Sequence, residues 1–223
     1  EKNNDFDCVI PVSGDKESFT IVRYVMEELK LRPLCTFFNH HFNTDVGLSN
    51  LQNLKHYFDL IMIEFTPFIE DYKEIVRADL LLYGNLNRFN VSSQIAFAVK
   101  NAKRNRIPLI FWGKHQGVEY TGMFSKEDRV EFSPQYWRMF DNLKKDESDY
   151  LNISEGARNL LRNFDLIKSS VLDKAPVTGI YLSNYLNWST FENFKKINKR
   201  YSYKRSKVIR SCFDHEYSAN YFY

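Results

Sequence analysis

Four short stretches of this chain are apolar at nearly every position, and amphipathic segments separate them. Residues 8 to 13 (Cys8-Val9-Ile10-Pro11-Val12-Ser13), Pro33-Leu34-Cys35-Thr36-Phe37-Phe38, Leu60-Ile61-Met62-Ile63 and Ile107-Pro108-Leu109-Ile110-Phe111-Trp112 have the length of strands. They lack the alternation of a strand with one wet face, so each is expected to be covered on both sides. Between them, residues 18 to 30 place Phe19, Val22, Val25, Met26 and Leu29 on one helical face, and 46 to 57 do the same with Leu48, Leu51 and Leu54. Further helices are predicted over 68 to 82 and 91 to 104. The resulting order, βαβαβααβ, predicts an α/β fold: a doubly wound parallel sheet with right-handed crossovers and helices on both faces.

Beyond Gly113 the regularity fades, with helical stretches near 134 to 145 and 154 to 168; Gly179-Ile180-Tyr181-Leu182 then reads as a fifth strand and Thr190 to Lys199 as a helix. The expected organisation is one α/β domain over residues 1 to 190, an insertion at about 114 to 176, and a basic C-terminal extension over 191 to 223. With 223 residues, 43% of them hydrophobic, the chain can bury a sizeable core. No apolar run approaches the roughly 18 residues of a membrane span, and no signal peptide pattern opens the chain, so the cytoplasm is the expected location. Glu1 at the start and Tyr221-Phe222-Tyr223 at the end read as the ends of a fragment. Cys8, Cys35 and Cys212 are odd in number and far apart, which argues for buried thiols rather than a disulfide framework or a sulfur-ligated metal.

In an open parallel sheet the ligand lies off the carboxyl ends of the strands, where strand order reverses. That rule nominates 13 to 18, 38 to 45, 65 to 67 and 112 to 122. In the first segment, Gly14 lets backbone N–H groups approach an anion, a helix starting near Ser18 points its positive end at it, and Lys16 adds a mobile charge. The hydroxyls of Ser13 and Ser18 can donate as well. The same residues are also good turn and N-cap chemistry, and composition leaves the two readings open. Neither GxxxxGK[ST] nor GxGxxG is present.

Ser13-Gly14-Asp15-Lys16-Glu17-Ser18, directly after the first strand, resembles the SGGKDS loop of the PP-loop ATP pyrophosphatases. Together with "CTFFNHH" (35 to 41), "DVGLSNLQNL" (45 to 54), "IPLIFWG" (107 to 113), "EYTG" (119 to 122) and "GIYLSNYLNW" (179 to 188), it is similar to the N-acetyl sugar amidotransferases of lipopolysaccharide and surface-glycan synthesis. The resemblance implies an adenine-nucleotide α-hydrolase (PP-loop, HUP-like) fold and a reaction. ATP adenylates the acetamido oxygen of a nucleotide-linked N-acetyl sugar, ammonia from a glutaminase partner displaces AMP, and an acetamidino group results. It implies catalytic roles for Lys16, Glu17 and His115, with Glu17 on Mg²⁺. Ser13, Gly14, Asp15, Lys16, Ser18, Asn39, His40 and Gly113 would hold ATP, and Glu119, Tyr120, Tyr181 and Asn184 the sugar.

The departures carry equal weight. Asp15 stands where the family has Gly, and Glu17 where it has Asp. A carboxylate ~4 Å from a phosphate charge costs roughly 4 kcal/mol at an effective dielectric near 20, about three decades of affinity. A bridging Mg²⁺ would reverse the sign. Asn87 and Asn90 replace a Cys-x-x-Cys pair of the family, which removes thiolate and soft-metal chemistry at that spacing. The alternatives to an active amidotransferase are therefore a non-catalytic homologue and a PP-loop tRNA-modifying enzyme. The last draws on the acid-free run from Asn193 to Phe213, where Lys195, Lys196, Lys199, Arg200, Lys204, Arg205, Lys207 and Arg210 interleave with Tyr201 and Tyr203. A net charge of +3 is too small to argue for nucleic acid across the whole chain.

Overall fold

Five parallel strands in the order β3-β2-β1-β4-β5 form the centre of the protein. A computed structural model describes residues 5–113, 131, 150, 152–164 and 177–205. Along the chain these give β1 (Cys8–Pro11), α1 (Lys16–Arg23, continued by a π turn over Tyr24–Glu28), β2 (Pro33–Phe38), α2 (Asp45–Tyr57), β3 (Met62–Phe65), α3 (Ile69–Tyr83), α4 (Arg88–Arg104), β4 (Leu109–Trp112), α5 (Glu155–Phe164), β5 (Thr178–Tyr181) and α6 (Thr190–Arg200). Every pairing is parallel, with Ile10 opposite Cys35 and Cys35 opposite Met62. The predicted doubly wound α/β architecture is the observed one.

Side chains alternate across a strand, and here both sides of the pleat are buried. Val9, Leu34, Phe38, Ile110 and Trp112 join a core shared with α3, α4 and α5, whereas Cys8, Ile10, Cys35, Phe37 and Phe111 join one shared with α1, α2 and α6. The last of these helices packs on α1: Phe194, Ile197, Tyr201 and Tyr203 join Phe19 in the second core. Cys8 and Cys35 are buried thiols; burial, then the neighbouring Asp7 charge, pushes Cys8 up to about 12.

Three boundaries differ from expectation, each for a local reason. The third strand is two residues late because Leu60 still belongs to the end of α2: Asp59 takes a left-handed φ of 49° and the Leu60 N–H donates to the Lys55 carbonyl at 3.0 Å. The fourth begins only at Leu109, since the Ile107 N–H returns to the Ala102 carbonyl at 2.8 Å. At the other end of α4 the helix starts at Arg88, so Asn87 is its N-cap and Asn90 lies in its first turn. Leu48, expected to face inward, is 37% exposed, while Leu51 and Leu54 are buried. The helix expected over 134 to 145 and the last residues of that over 154 to 168 lie outside the described residues.

Candidate functional site

The turn after β1 sits at the switch point of the sheet, where β1 is flanked by β2 on one side and β4 on the other. A cavity of about 210 Å³ opens there over the carboxyl ends of these three strands. Its rim carries Ser13, Asp15, Glu17, Ser18 and Gly113; its wall carries Thr36, Phe38 and Trp112 from the sheet and Asn87, Val91 and Gln94 from α4, with His40 at the end of β2. Burial of this kind at a strand-order reversal is where α/β proteins place ligands.

The helix after the turn starts at Lys16 rather than near Ser18. Asp15 is its N-cap, extended at φ −94° and ψ 163°, and its carboxylate accepts from the Lys16 N–H at 2.9 Å. A second donor reaches the same oxygen from far along the chain, the Tyr203 hydroxyl at 3.2 Å. A carboxylate of the protein thus occupies the helix N-terminus, the position an external anion would take. Ser13 and Ser18 brace the turn: the Ser13 N–H donates to Ser18 Oγ at 2.8 Å, and the two hydroxyls are 3.3 Å apart. Gly14 is required by close approach, since a Cβ there would overlap the Gly47 carbonyl in the first turn of α2.

Lys16 departs furthest from expectation. Its side chain is 1% exposed, and its Nζ lies 3.0 Å from Glu17 Oε1. It is therefore not the mobile charge that a phosphate grip needs. Burial, then the Asp15 charge, raises the Glu17 carboxyl well above the usual carboxylate range, and Lys16 partly offsets this. Among the described residues no group of three or more His, Cys, Asp or Glu side chains gathers as a metal site, and Glu17 already has an ammonium as its partner.

The adjacent histidines divide. His40 lines the cavity, and its Nδ1 accepts from the Phe42 N–H at 3.2 Å, which leaves Nε2 to carry the ring proton. Burial, chiefly, lowers its pKa to about 4, so the ring is neutral at pH 7. His41, at φ 61°, turns the other way: its Nε2 lies 2.8 Å from the Pro67 carbonyl and its ring packs on Tyr72. Asn39 braces the same loop, with Oδ1 accepting from the His41 N–H and from Asn43 Nδ2. Tyr181 is 2% exposed and stacks on Trp112 with centroids 6.5 Å apart; Asn184 lies in the short 3₁₀ turn after β5. His115, Glu119 and Tyr120 fall outside the described residues.

Of two further groups at this cavity, Thr36 is not singled out by the sequence, and Asn87 is, though not as cavity lining. The Thr36 hydroxyl is buried against it with no hydrogen-bond partner among the described residues, a polar group set in an otherwise apolar strand. Asn87, at the cavity wall, accepts from Asn90 Nδ2 at 3.1 Å, and Asn90 in turn accepts from the buried Tyr72 hydroxyl. Asn87 and Asn90 are thus built into a polar chain linking α3 to α4.

Three basic residues of the run in the tail have partners among the described residues. Arg200 pairs with Glu27 at 3.0 Å, Lys195 with Glu192 at 3.0 Å, and Lys204 Nζ donates to Ser49 Oγ at 2.9 Å. Among the described residues no helix is long and apolar enough to cross a membrane.

No family model matches the chain, and no curated protein matches it. Among solved structures it is similar to phosphoadenylyl-sulfate reductase from Candida auris in a phosphate complex, at 10% identity and a TM-score of 0.46 over 86% of this chain and 72% of that one. It is also similar to the NH3-dependent NAD synthetase of Campylobacter jejuni, at 12% identity and a TM-score of 0.43 over 89% and 76%. The tRNA thiolase of Methanococcus maripaludis gives 12% identity and a TM-score of 0.48 over 94% of this chain and 61% of that one. At such distances no residue role is carried from them to this chain.

Proposed function

We propose that this chain is a PP-loop-type homologue of the N-acetyl sugar amidotransferases that no longer activates its substrate with ATP and binds an uncharged polar ligand, a sugar bearing an acetamido group, in the cavity. One observation carries the reading: the Asp15 carboxylate seated at the N-terminus of α1. A triphosphate does not fit the turn in this state, because Asp15 lines the cavity, whereas the buried Lys16 pairs with Glu17 and is not among the lining residues. Repulsion of roughly 4 kcal/mol from one carboxylate at ~4 Å removes useful affinity, and no lysine or arginine stands among the described lining residues to offset it.

What remains favours a neutral guest. Thr36, Asn87, Gln94 and the neutral ring of His40 offer hydrogen bonds between apolar surfaces of Phe38, Val91 and Trp112. An amide and several hydroxyls suit such a wall, and a buried hydroxyl such as that of Thr36 favours whichever ligand completes its hydrogen bond.

The test is pyrophosphate release from ATP in the presence of Mg²⁺, a UDP-linked N-acetyl sugar and a glutaminase, run beside a binding titration with free N-acetylglucosamine. The expected result is no release above background together with saturable sugar binding. ATP-dependent formation of an acetamidino sugar would overturn the proposal.

A further inference from the structure

The segment after α6 does more than finish a helix. Ser202 has a left-handed φ of 53° and is exposed, so Tyr201 and Tyr203 on either side of it both turn inward. Tyr201 meets Tyr57 edge-on with centroids 4.5 Å apart and lies 5.3 Å from Phe58; Tyr203 meets Phe19 edge-on at 5.6 Å. The backbone of Lys204 is pinned twice by one buried amide: Asn50 Nδ2 donates to its carbonyl at 2.8 Å and its N–H donates to Asn50 Oδ1 at 2.9 Å. This strap, anchored on α2, presents the Tyr203 hydroxyl to Asp15 Oδ1.

We infer that the strap over residues 201–205 sets the ligand specificity of the turn, with Tyr203 as the positioning residue that holds the Asp15 carboxylate at the helix N-terminus and so keeps phosphate-bearing ligands out. The inference deepens the function proposed above and rests on the turn being the ligand site. Its physical basis is that one carboxylate oxygen accepts from both the Lys16 N–H and the Tyr203 hydroxyl. With the hydroxyl removed, that oxygen loses a charge-assisted hydrogen bond, and the carboxylate gains by turning towards water. The Lys16 N–H then becomes open to another anion.

The experiment titrates inorganic pyrophosphate, without metal, into the full chain and into Tyr203→Phe, Asp15→Asn and the double variant, with a thermal melt of each. Asp15→Asn is expected to tighten pyrophosphate at least tenfold, because it removes the charge and keeps the acceptor for Tyr203. Tyr203→Phe is expected to tighten it about threefold to tenfold, and to add nothing on the Asp15→Asn background. That coupling distinguishes positioning of the carboxylate from a general loosening of the fold. Asn50→Ala, which unpins the strap from the other side, is expected to reproduce the Tyr203→Phe gain and serves if that variant does not fold. A gain with Asp15→Asn but none with Tyr203→Phe or Asn50→Ala overturns the strap inference alone. No gain with any variant overturns the reading of the turn as a ligand site.

Discussion

Asp15 and Tyr203, 188 positions apart, meet at 3.2 Å, the tyrosine hydroxyl donating to the same carboxylate oxygen that caps α1. An acidic residue in a phosphate-type turn reads from sequence as a defect. In the fold it is a helix cap, one oxygen of which accepts both from its own helix and from the strap over residues 201–205.

The Lys16 and Glu17 pair is expected to be structural. Removing one member of a buried pair leaves a charge without its counter-ion, whereas replacing both does not. Glu17→Gln, which takes from the buried Lys16 ammonium its carboxylate at 3.0 Å, should cost about 3 kcal/mol in urea unfolding, and Glu17→Gln with Lys16→Met should recover most of that loss. Equal losses in the single and double variants would argue instead that Glu17 matters through packing.

His40 makes stability depend on acid. Its folded pKa, about 4, lies below its ordinary value of 6.5, so in between the unfolded chain binds the proton more readily than the folded one. The stabilisation is therefore complete above pH 6.5 and is lost as pH falls towards 4, on the order of 3 kcal/mol in full. Unfolding free energies measured across this window should show the slope, and His40→Gln should flatten it. An unchanged slope in the variant would place the titration elsewhere.

Much of the scaffold was legible because the apolar runs of β1, β2 and β4 are short, continuous and punctuated. The rule that ligands lie off the carboxyl ends of parallel strands nominates four segments, and the cavity is lined from three of them, by Ser13, His40 and Gly113 among others, but not from 65 to 67. Boundaries failed where helix ends intrude on strands: Asp59 and Leu60 look like the entry to a strand but close α2. The site chemistry failed for a different reason. A lysine in a polar turn gives no sign that it will be buried, since that depends on tertiary packing; and nothing local links Asp15 to Tyr203, 188 positions on. Thr36 was hidden inside an apolar run whose other members are core.

Thr36 tests the cavity directly. Its hydroxyl is buried without a partner among the described residues, so Thr36→Val should leave stability unchanged or raise it by about 1 kcal/mol, the relief of an unsatisfied polar group. The same change should weaken N-acetylglucosamine binding about tenfold, read by calorimetry. Loss of stability with no effect on the sugar would show that the hydroxyl serves the fold and not a ligand.

The central claim is that a resident carboxylate closes the turn to nucleotides. Calorimetric titration of ATP with Mg²⁺ into the unaltered chain and into Asp15→Gly tests it most directly. The expected result is no measurable binding to the former and a gain of about a hundredfold to a thousandfold in the latter, in line with the repulsion of one charge at ~4 Å. Equally tight ATP binding by both proteins would contradict it.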